Sequence, residues 1–494
     1  MSAPVLLWFR NDLRLDDHPA LHAAAAGGRP IVAFFLLDDE TPGPWRRGAA
    51  SRWFLAGALE SLAAAIAERG GRLILRRGPQ SEVVPRIVRE LGARSVFWSR
   101  RYEPWAVAAD RALEAALRAD GVEVSSFNAA LGFEPFEIVQ ADGSPYKVYT
   151  PFSRAWARRE APPAPLPVPP GLRFAGPEGI ASEPLESWEL RPSRPDRAVG
   201  LRESWEPSEA GARALLDRFL GGPVWSYGRM RDFPGRAGVS RLSPHLAVGT
   251  IGPRRILAAV RARAAGEGRS EVEARPFVRQ LIWRDFAYHT LFHFPDLPER
   301  ALRAEFHGFP WRGNAVGLRA WRRGRTGYPI VDAGMRELWR TGWMHNRVRM
   351  IVGSFLTKDL LIPWQEGERW FWDTLVDADL ANNATGWQWV AGCGIEAAPY
   401  FRIFNPVLQA RKFDPDGAYV RRWVPELARL PDAFLHAPWE APADVLAAAG
   451  VRLGETYPRP LVDHAAARAR ALEAFETLRA GARLDLQPRP RSSA

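Results

Sequence analysis

Residues 326–406 read TGYPIVDAGMRELWRTGWMHNRVRMIVGSFLTKDLLIPWQEGERWFWDTLVDADLANNATGWQWVAGCGIEAAPYFRIFNP. Apolar positions in this stretch recur at helical spacing over 332–340, 343–361 and 366–376, with no convincing strand pair. A helix starting near Gly342 places Asn346, Arg349 and Met350 at i, i+3 and i+4, so an amide, a cation and a soft apolar tip share one face. Further on, Asp377 and Asp379 stand two apart in the loop VDADLANN, and Asn383 follows just before Trp387 and Trp389. Taken alone, the Arg and Asp residues are as well explained by a solvated ion pair.

The helical pattern extends outward from this stretch, with helices predicted over 209–219, 253–264, 276–292 and 463–479, which makes the C-terminal half an all-α domain. Upstream, 161–171 reads APPAPLPVPPG, and proline density through about residue 208 forbids a continuous helix. The N-terminal part differs again. Short apolar runs at 4–10 (PVLLWFR), 30–38 (PIVAFFLLD), 72–77 (RLILRR) and 95–100 (SVFWSR) alternate with helical stretches such as 51–68 and 104–119. That alternation predicts a doubly wound parallel α/β sheet. It carries neither GxGxxG nor GxxxxGK[ST], so no standard phosphate cradle is written there. The expected organisation is an α/β domain over 1–130, a connector over 131–208, a helical domain over 209–480 and a tail over 481–494.

A chain of 494 residues exceeds the size at which one core keeps growing, and 47% apolar residues suffice for two. Lys and Arg outnumber Asp and Glu by 67 to 56, a net charge of +11 that favours a polyanionic partner, nucleic acid first. Arg-rich, Ala-rich composition also arises from GC-rich genomes, so charge alone does not decide. The one cysteine, Cys393, excludes intrachain disulfides and cysteine-based zinc sites. The opening MSAPVLLWFRNDLRLDD meets charge at Arg10, too early for a signal peptide or membrane span, and a soluble, cytoplasmic monomer is expected. The 21 Trp against 9 Tyr invite a search for stacking or redox roles.

The 326–406 stretch closely resembles the flavin-binding core of the DNA photolyase and cryptochrome family, and is most similar to class I cyclobutane pyrimidine dimer photolyases. LLWFRNDLRLDDHPAL at 6–21 resembles the family's N-terminal opening, and SRLSPHLAVGTI at 240–251 its flavin phosphate loop. The resemblance implies an α/β antenna domain joined by a long connector to a helical FAD domain. It also implies a deoxyribodipyrimidine photo-lyase, in which light-excited reduced FAD passes an electron to a pyrimidine dimer flipped out of damaged DNA.

Carried over residue by residue, the resemblance assigns Tyr227 and Val239, Ser240, Arg241, Leu242 and Ser243 to the FAD phosphates and ribityl chain. Most relatives have Thr at the Val239 position. Phe277, where relatives often have Trp, and Asn346 also fall among the cofactor contacts. Arg349 and Asp377 match an ion pair beside the isoalloxazine, and Ala378 and Asp379 its ring contacts. Asn383 matches the position facing the flavin N5, where plant cryptochromes have Asp; an amide hydrogen-bonds N5 without supplying a proton. Trp387, Trp364 and Trp311 match the family's electron chain.

On the lesion side, Trp283 and Trp389 resemble the wall that stacks on the dimer. Met350 stands where six-four photolyases carry a catalytic His. Asn346, Arg231, Arg347, Arg402 and Gln409 match the DNA face, and RAWRRGRTG at 319–327 extends a basic rim or is only a solvated face. One departure concerns catalysis: FVRQLIWRDF at 277–286 carries Gln280 where class I enzymes have Glu, which implies retained but less efficient repair. For the antenna, the folate-type Asn-Glu pair is replaced by Trp105 and Ala106, so a deazaflavin or second flavin is favoured over methenyltetrahydrofolate. Two rivals stand beside repair. One is a cryptochrome-type photoreceptor, and the other a nucleotide-binding protein with a helical nucleic-acid-binding domain.

Overall fold

The computed structural model describes residues 3–191, 196, 198–395 and 401–485. They form two compact units, the first comprising Met1–Met230, Gly238–Pro295 and Trp372–Asn382 and the second Arg231–Ala237, Asp296–Phe371 and Asn383–Ala494.

The first unit holds a five-stranded parallel sheet of β1 (Val5–Phe9), β2 (Ile31–Leu37), β3 (Leu73–Arg77), β4 (Ser95–Ser99) and β5 (Glu123–Phe127), in the order β3-β2-β1-β4-β5. The central strands are buried on both faces, which is why VLLWF and IVAFFLL read as unbroken apolar runs. Helices α1 (Pro19–Ala26), α2 (Ala49–Ala67), α3 (Gln80–Leu91) and α4 (Pro104–Ala119) link the strands. On one face Leu6, Trp8, Phe34, Ile74, Val96 and Trp98 pack against Val84, Ile87 and Val88 of α3 and Leu113 and Leu117 of α4. The edge strand β5, EVSSF, lacks an apolar run and is a strand that periodicity does not give.

A helical part completes this unit. Gly249, with φ of 79°, lies so close to the end of β1 that a Cβ there would meet the Asn11 carbonyl oxygen at 1.9 Å. Residues of the connector are tied down as well. The buried Asp285 on the helix Glu271–His293 accepts from the Gly132 and Phe133 amides at 3.2 and 3.3 Å and from Trp156 Nε1 at 2.8 Å. Trp156 lies on α5 (Tyr149–Arg158), a helix inside the connector.

The described residues of the second unit are helical, apart from an isolated bridge between Leu453 and Tyr457, and the helices of the C-terminal half correct the expected boundaries at two places. Gly342 (φ 67°) terminates the helix Pro329–Thr341, and the next helix, Asn346–Ser354, starts only after His345 caps it by accepting from the Arg347 amide. That helix ends in a π-helical turn, Phe355–Asp359, where one long helix is expected. The loop VDADLANN also ends early. Asp379 accepts from the Asn382 amide at 2.9 Å, three residues on, and so caps the helix Leu380–Ala391 that bears Asn383, Trp387 and Trp389. Among the described residues no helix is long and apolar enough to cross a membrane.

Candidate flavin and nucleic-acid site

In the first unit, Tyr227 is buried on the helix Pro223–Met230 and packs edge-on against Phe277 (5.5 Å), with Phe219 completing the trio at 4.6 Å from Phe277. The loop that follows is shaped for an anion. Arg241 takes a left-handed φ of 55° and Leu242 a right-handed −81°, so successive amides of 241–243 turn to one side as a nest. Arg241 lies over Trp205 at 4.5 Å, and the Leu242 amide reaches Ser240 Oγ at 3.4 Å. Val239 brings no side-chain donor, and Ser243 is exposed. A nest with flanking hydroxyls fits a diphosphate-bearing cofactor.

Asp377 and Ala378 are buried in this same unit. The Asp379 carboxylate accepts from the Tyr288 hydroxyl, and its Oδ1 also accepts from Asn382 Nδ2 at 2.8 Å. Trp283, half-buried, stacks on Tyr149 of α5 with ring centroids 3.6 Å apart and planes 3° from parallel. Gln280, one turn earlier on the same helix, donates Nε2 to the Pro276 carbonyl at 3.1 Å.

In the second unit the Asn346 amide contacts Met350 Sδ at 3.9 Å, and Arg349 Nε donates to the Met344 carbonyl at 2.8 Å. Arg349 belongs to the second unit and Asp377 to the first, so their pairing rests on resemblance. Asn383 Nδ2 donates to the main-chain carbonyl of Glu368 at 3.0 Å. A carbonyl only accepts, so this contact fixes the amide: NH2 toward residue 368, Oδ1 away from it. The Glu368 carboxyl itself is fully buried, with no hydrogen-bond partner among the described residues, and burial together with Glu299 holds it protonated, well above the usual carboxylate range.

Of the three tryptophans, Trp387 and Trp364 are buried and Trp311 is half-buried. Trp387 is in edge contact with Phe371 at 5.0 Å and with Trp321 at 6.1 Å. Trp311 packs on Phe309 at 4.4 Å, and the Arg312 amide donates to the Leu361 carbonyl at 2.7 Å, which draws that segment toward the start of the Trp364 helix.

The residues of this unit that the resemblance assigns to a DNA face are partly neutralised. Arg347 donates to Asp232 at 2.9 Å and lies over Phe413 at 4.3 Å, and Arg231 is 3.9 Å from the same carboxylate. Trp389 and Gln409 are half-buried and Arg402 is exposed. In the 319–327 run, Trp321 is buried and Arg322 pairs with Glu366 at 3.0 Å, while Arg319, Arg323 and Arg325 are exposed. Sequence reasoning missed Glu368, Trp321, Asp232 and Tyr149, none of which stands in a motif that distinguishes it from a core or surface residue.

A cleft lies in the first unit at the carboxyl ends of β1, β2 and β4, where the sheet reverses its order; it opens to solvent and spans about 800 Å³ with that open space included. Arg10, Arg47 and Arg101 line it with Asp38, Asp39 and Glu103, and Trp8, Trp45, Trp105 and Trp372 supply flat walls. Arg10 and Arg101 lie over Trp8 and Trp105 at 4.4 and 4.3 Å. Burial pulls the Arg47 guanidinium down to about 10. Ala106, beside Trp105, is buried.

Residues 277–477 match the family of the FAD binding domain of DNA photolyase, and residues 5–170 the DNA photolyase family. The deoxyribodipyrimidine photo-lyase of Agrobacterium fabrum is 47% identical, over 97% of this chain and 98% of its own length. Cryptochrome-1 of Arabidopsis thaliana is 38% identical, over 96% of this chain and 70% of its own. The crystal structure of a bacterial class III photolyase from Agrobacterium tumefaciens superposes with a TM-score of 0.93 at 47% identity, covering 97% of this chain and 98% of the other. The chain belongs to the DNA photolyase and cryptochrome family, and carries that family's FAD-binding domain.

Proposed function

We propose that this protein is a light-driven DNA repair enzyme that splits cyclobutane pyrimidine dimers. The observation that carries the reading is the anchored amide of Asn383. With its NH2 committed to the Glu368 carbonyl, the side chain leaves Oδ1 as an acceptor, the complement of a protonated ring nitrogen such as the N5–H of a reduced flavin. A signalling relative with Asp there has a proton to exchange, and this chain does not.

Bound FAD, once reduced and excited by blue light, supplies the electron. The protein's part is to hold, orient and exclude water. Tyr227 and the 239–243 nest hold the diphosphate, and Asp377, Ala378, Asp379, Asn346 and Arg349 orient the ring system. Phe277 buttresses Tyr227 from the core. Trp387, Trp364 and Trp311 reduce the cofactor in light. By the resemblance, Trp283, Trp389 and Met350 are each assigned to the unstacked dimer, whose intrinsic mispairing lowers the cost of flipping. Arg231, Arg347, Arg402 and Gln409 contact the damaged strand, and Gln280 sits at the lesion. The protein acts as a cytoplasmic monomer.

The cavity at the carboxyl ends of the central strands suits a planar, anionic antenna chromophore, a deazaflavin or second flavin, between tryptophan faces and arginines. Chromatography of the chromophores released on denaturation identifies what it holds.

The test is direct. Ultraviolet-damaged oligothymidine is mixed with reduced, anaerobic protein and irradiated with blue light. Recovery of the thymine absorbance band supports the reading, and its absence sinks it. One observation favours a cryptochrome-type receptor instead: Gln280 stands in place of a Glu and already gives one of its two amide N–H donors to the Pro276 carbonyl. That alternative predicts flavin photoreduction with no thymine recovery.

A further inference from the structure

We propose that Tyr149, on a helix of the connector, is a positioning residue for lesion recognition: it backs one face of Trp283 so that the opposite indole face is held ready for an unstacked pyrimidine dimer. This rests on the repair reading above and adds to it a residue outside the flavin-binding half of the sequence.

Three contacts converge on the pair. The two rings stack at 3.6 Å, 3° from parallel, so the phenol ring of Tyr149 lies against one face of Trp283. Phe286 meets both rings edge-on at 5.8 Å, at 68° to Tyr149 and 70° to Trp283, and closes the edge of the stack. The Tyr149 hydroxyl donates to the Arg279 carbonyl at 3.2 Å. In an α-helix that carbonyl is also the acceptor for the amide four residues on, which is that of Trp283. Tyr149 is therefore tied to Trp283 through both the ring and the helix turn that carries it.

Burial separates the roles of the two residues. Tyr149 is 3% exposed and has no face of its own to offer, whereas Trp283 remains half-buried. An indole free to rotate would lose rotamer freedom on binding a lesion, or fold over the space the lesion needs, and a fixed one does neither. The surrounding cations point the same way. Arg279 is exposed with its guanidinium 5.9 Å from the Tyr149 ring, and Lys147 and Arg154 are exposed on the same connector segment, so a phosphate strand passing Trp283 meets positive charge.

The experiment compares holoprotein binding to oligothymidine with and without a single dimer, together with repair per absorbed photon at saturating substrate. Tyr149→Ala and Tyr149→Leu are expected to weaken dimer binding about fivefold, the loss of one aromatic stack, with undamaged-strand binding and the saturated repair yield within about twofold of wild type. Tyr149→Phe keeps the stack and is expected to restore dimer binding. Flavin content reports folding, and Tyr149→Leu, which keeps apolar volume, decides the matter where Tyr149→Ala does not fold. Unchanged dimer binding in the Leu variant, or equal loss for both strands, overturns the proposal. Wild-type protein that does not prefer the dimer at all overturns the repair reading, and this proposal with it.

Discussion

Gly367 faces the indole of Trp387 so closely that a Cβ at residue 367 would lie 2.1 Å from Cη2 and 2.4 Å from Cζ3. Trp387 is also in edge contact with Phe371 and Trp321, which limits its room to shift. Gly367→Ala is expected to destabilise the fold by roughly 1–3 kcal/mol through overpacking and to slow light-driven reduction of bound flavin. Urea unfolding and bleaching of the flavin's visible band read the two effects separately.

Trp387→Phe tests the electron chain without that steric insult. It is expected to abolish photoreduction while leaving repair by chemically reduced protein nearly intact. Trp321→Phe loses the indole donor to the Val352 carbonyl at 3.0 Å and is expected to lower stability by about 1–2 kcal/mol. If photoreduction proceeds normally in Trp387→Phe, the chain does not begin at Trp387.

Gln280→Glu tests the lesion side. A protonated Glu can donate its O–H to the pyrimidine as negative charge arrives there, whereas Gln280, with one N–H on Pro276, can donate its other N–H but cannot transfer a proton. The expected outcome is a higher repair quantum yield with little change in dimer affinity. Equal yields for the two proteins would sink the idea that residue 280 limits repair.

Acid should weaken the fold in a defined window. Burial pulls His245, His289 and His345 each down to about 4. An unfolded His titrates near 6.5, so between these values the unfolded chain binds more protons and stability falls as pH falls from about 6.5 toward 4. Each such histidine contributes a loss of about 2 kcal/mol between pH 7 and 5. Asp285 works in the opposite sense: burial pushes it up to about 6, and stability from its protonated form is lost as pH rises through that value. His245→Gln, which keeps a partner for Thr250 Oγ1 (2.8 Å), is expected to flatten the pH dependence of the urea midpoint. An unchanged slope would rule His245 out as a contributor.

The sheet was readable wherever burial on both faces leaves an apolar run, as in β1 and β2, and unreadable at β5, where Ser125 and Ser126 sit on an edge. Helix periodicity located the Trp364 helix but not the start of the Asn383 helix, because the capping role of Asp379 is masked by its place in an acidic loop. Tyr149 was hidden for a different reason: it lies in a connector judged by its prolines, and only the fold stacks it on a residue distant in sequence. Asp232 and Glu368 owe their importance to burial and to neighbours, which spacing does not carry.

The acceptor beneath Asn383 belongs to the main chain, so no substitution at residue 368 can remove it short of displacing the helix. An aspartate in place of Asn383 would set a carboxylate against that fixed oxygen, and the two would repel unless the acid kept its proton. The backbone here thus acts as a charge filter: it accepts an amide unconditionally and an acid only in its neutral form. A single-residue change at this position would convert a proton-silent site into one that stores a proton.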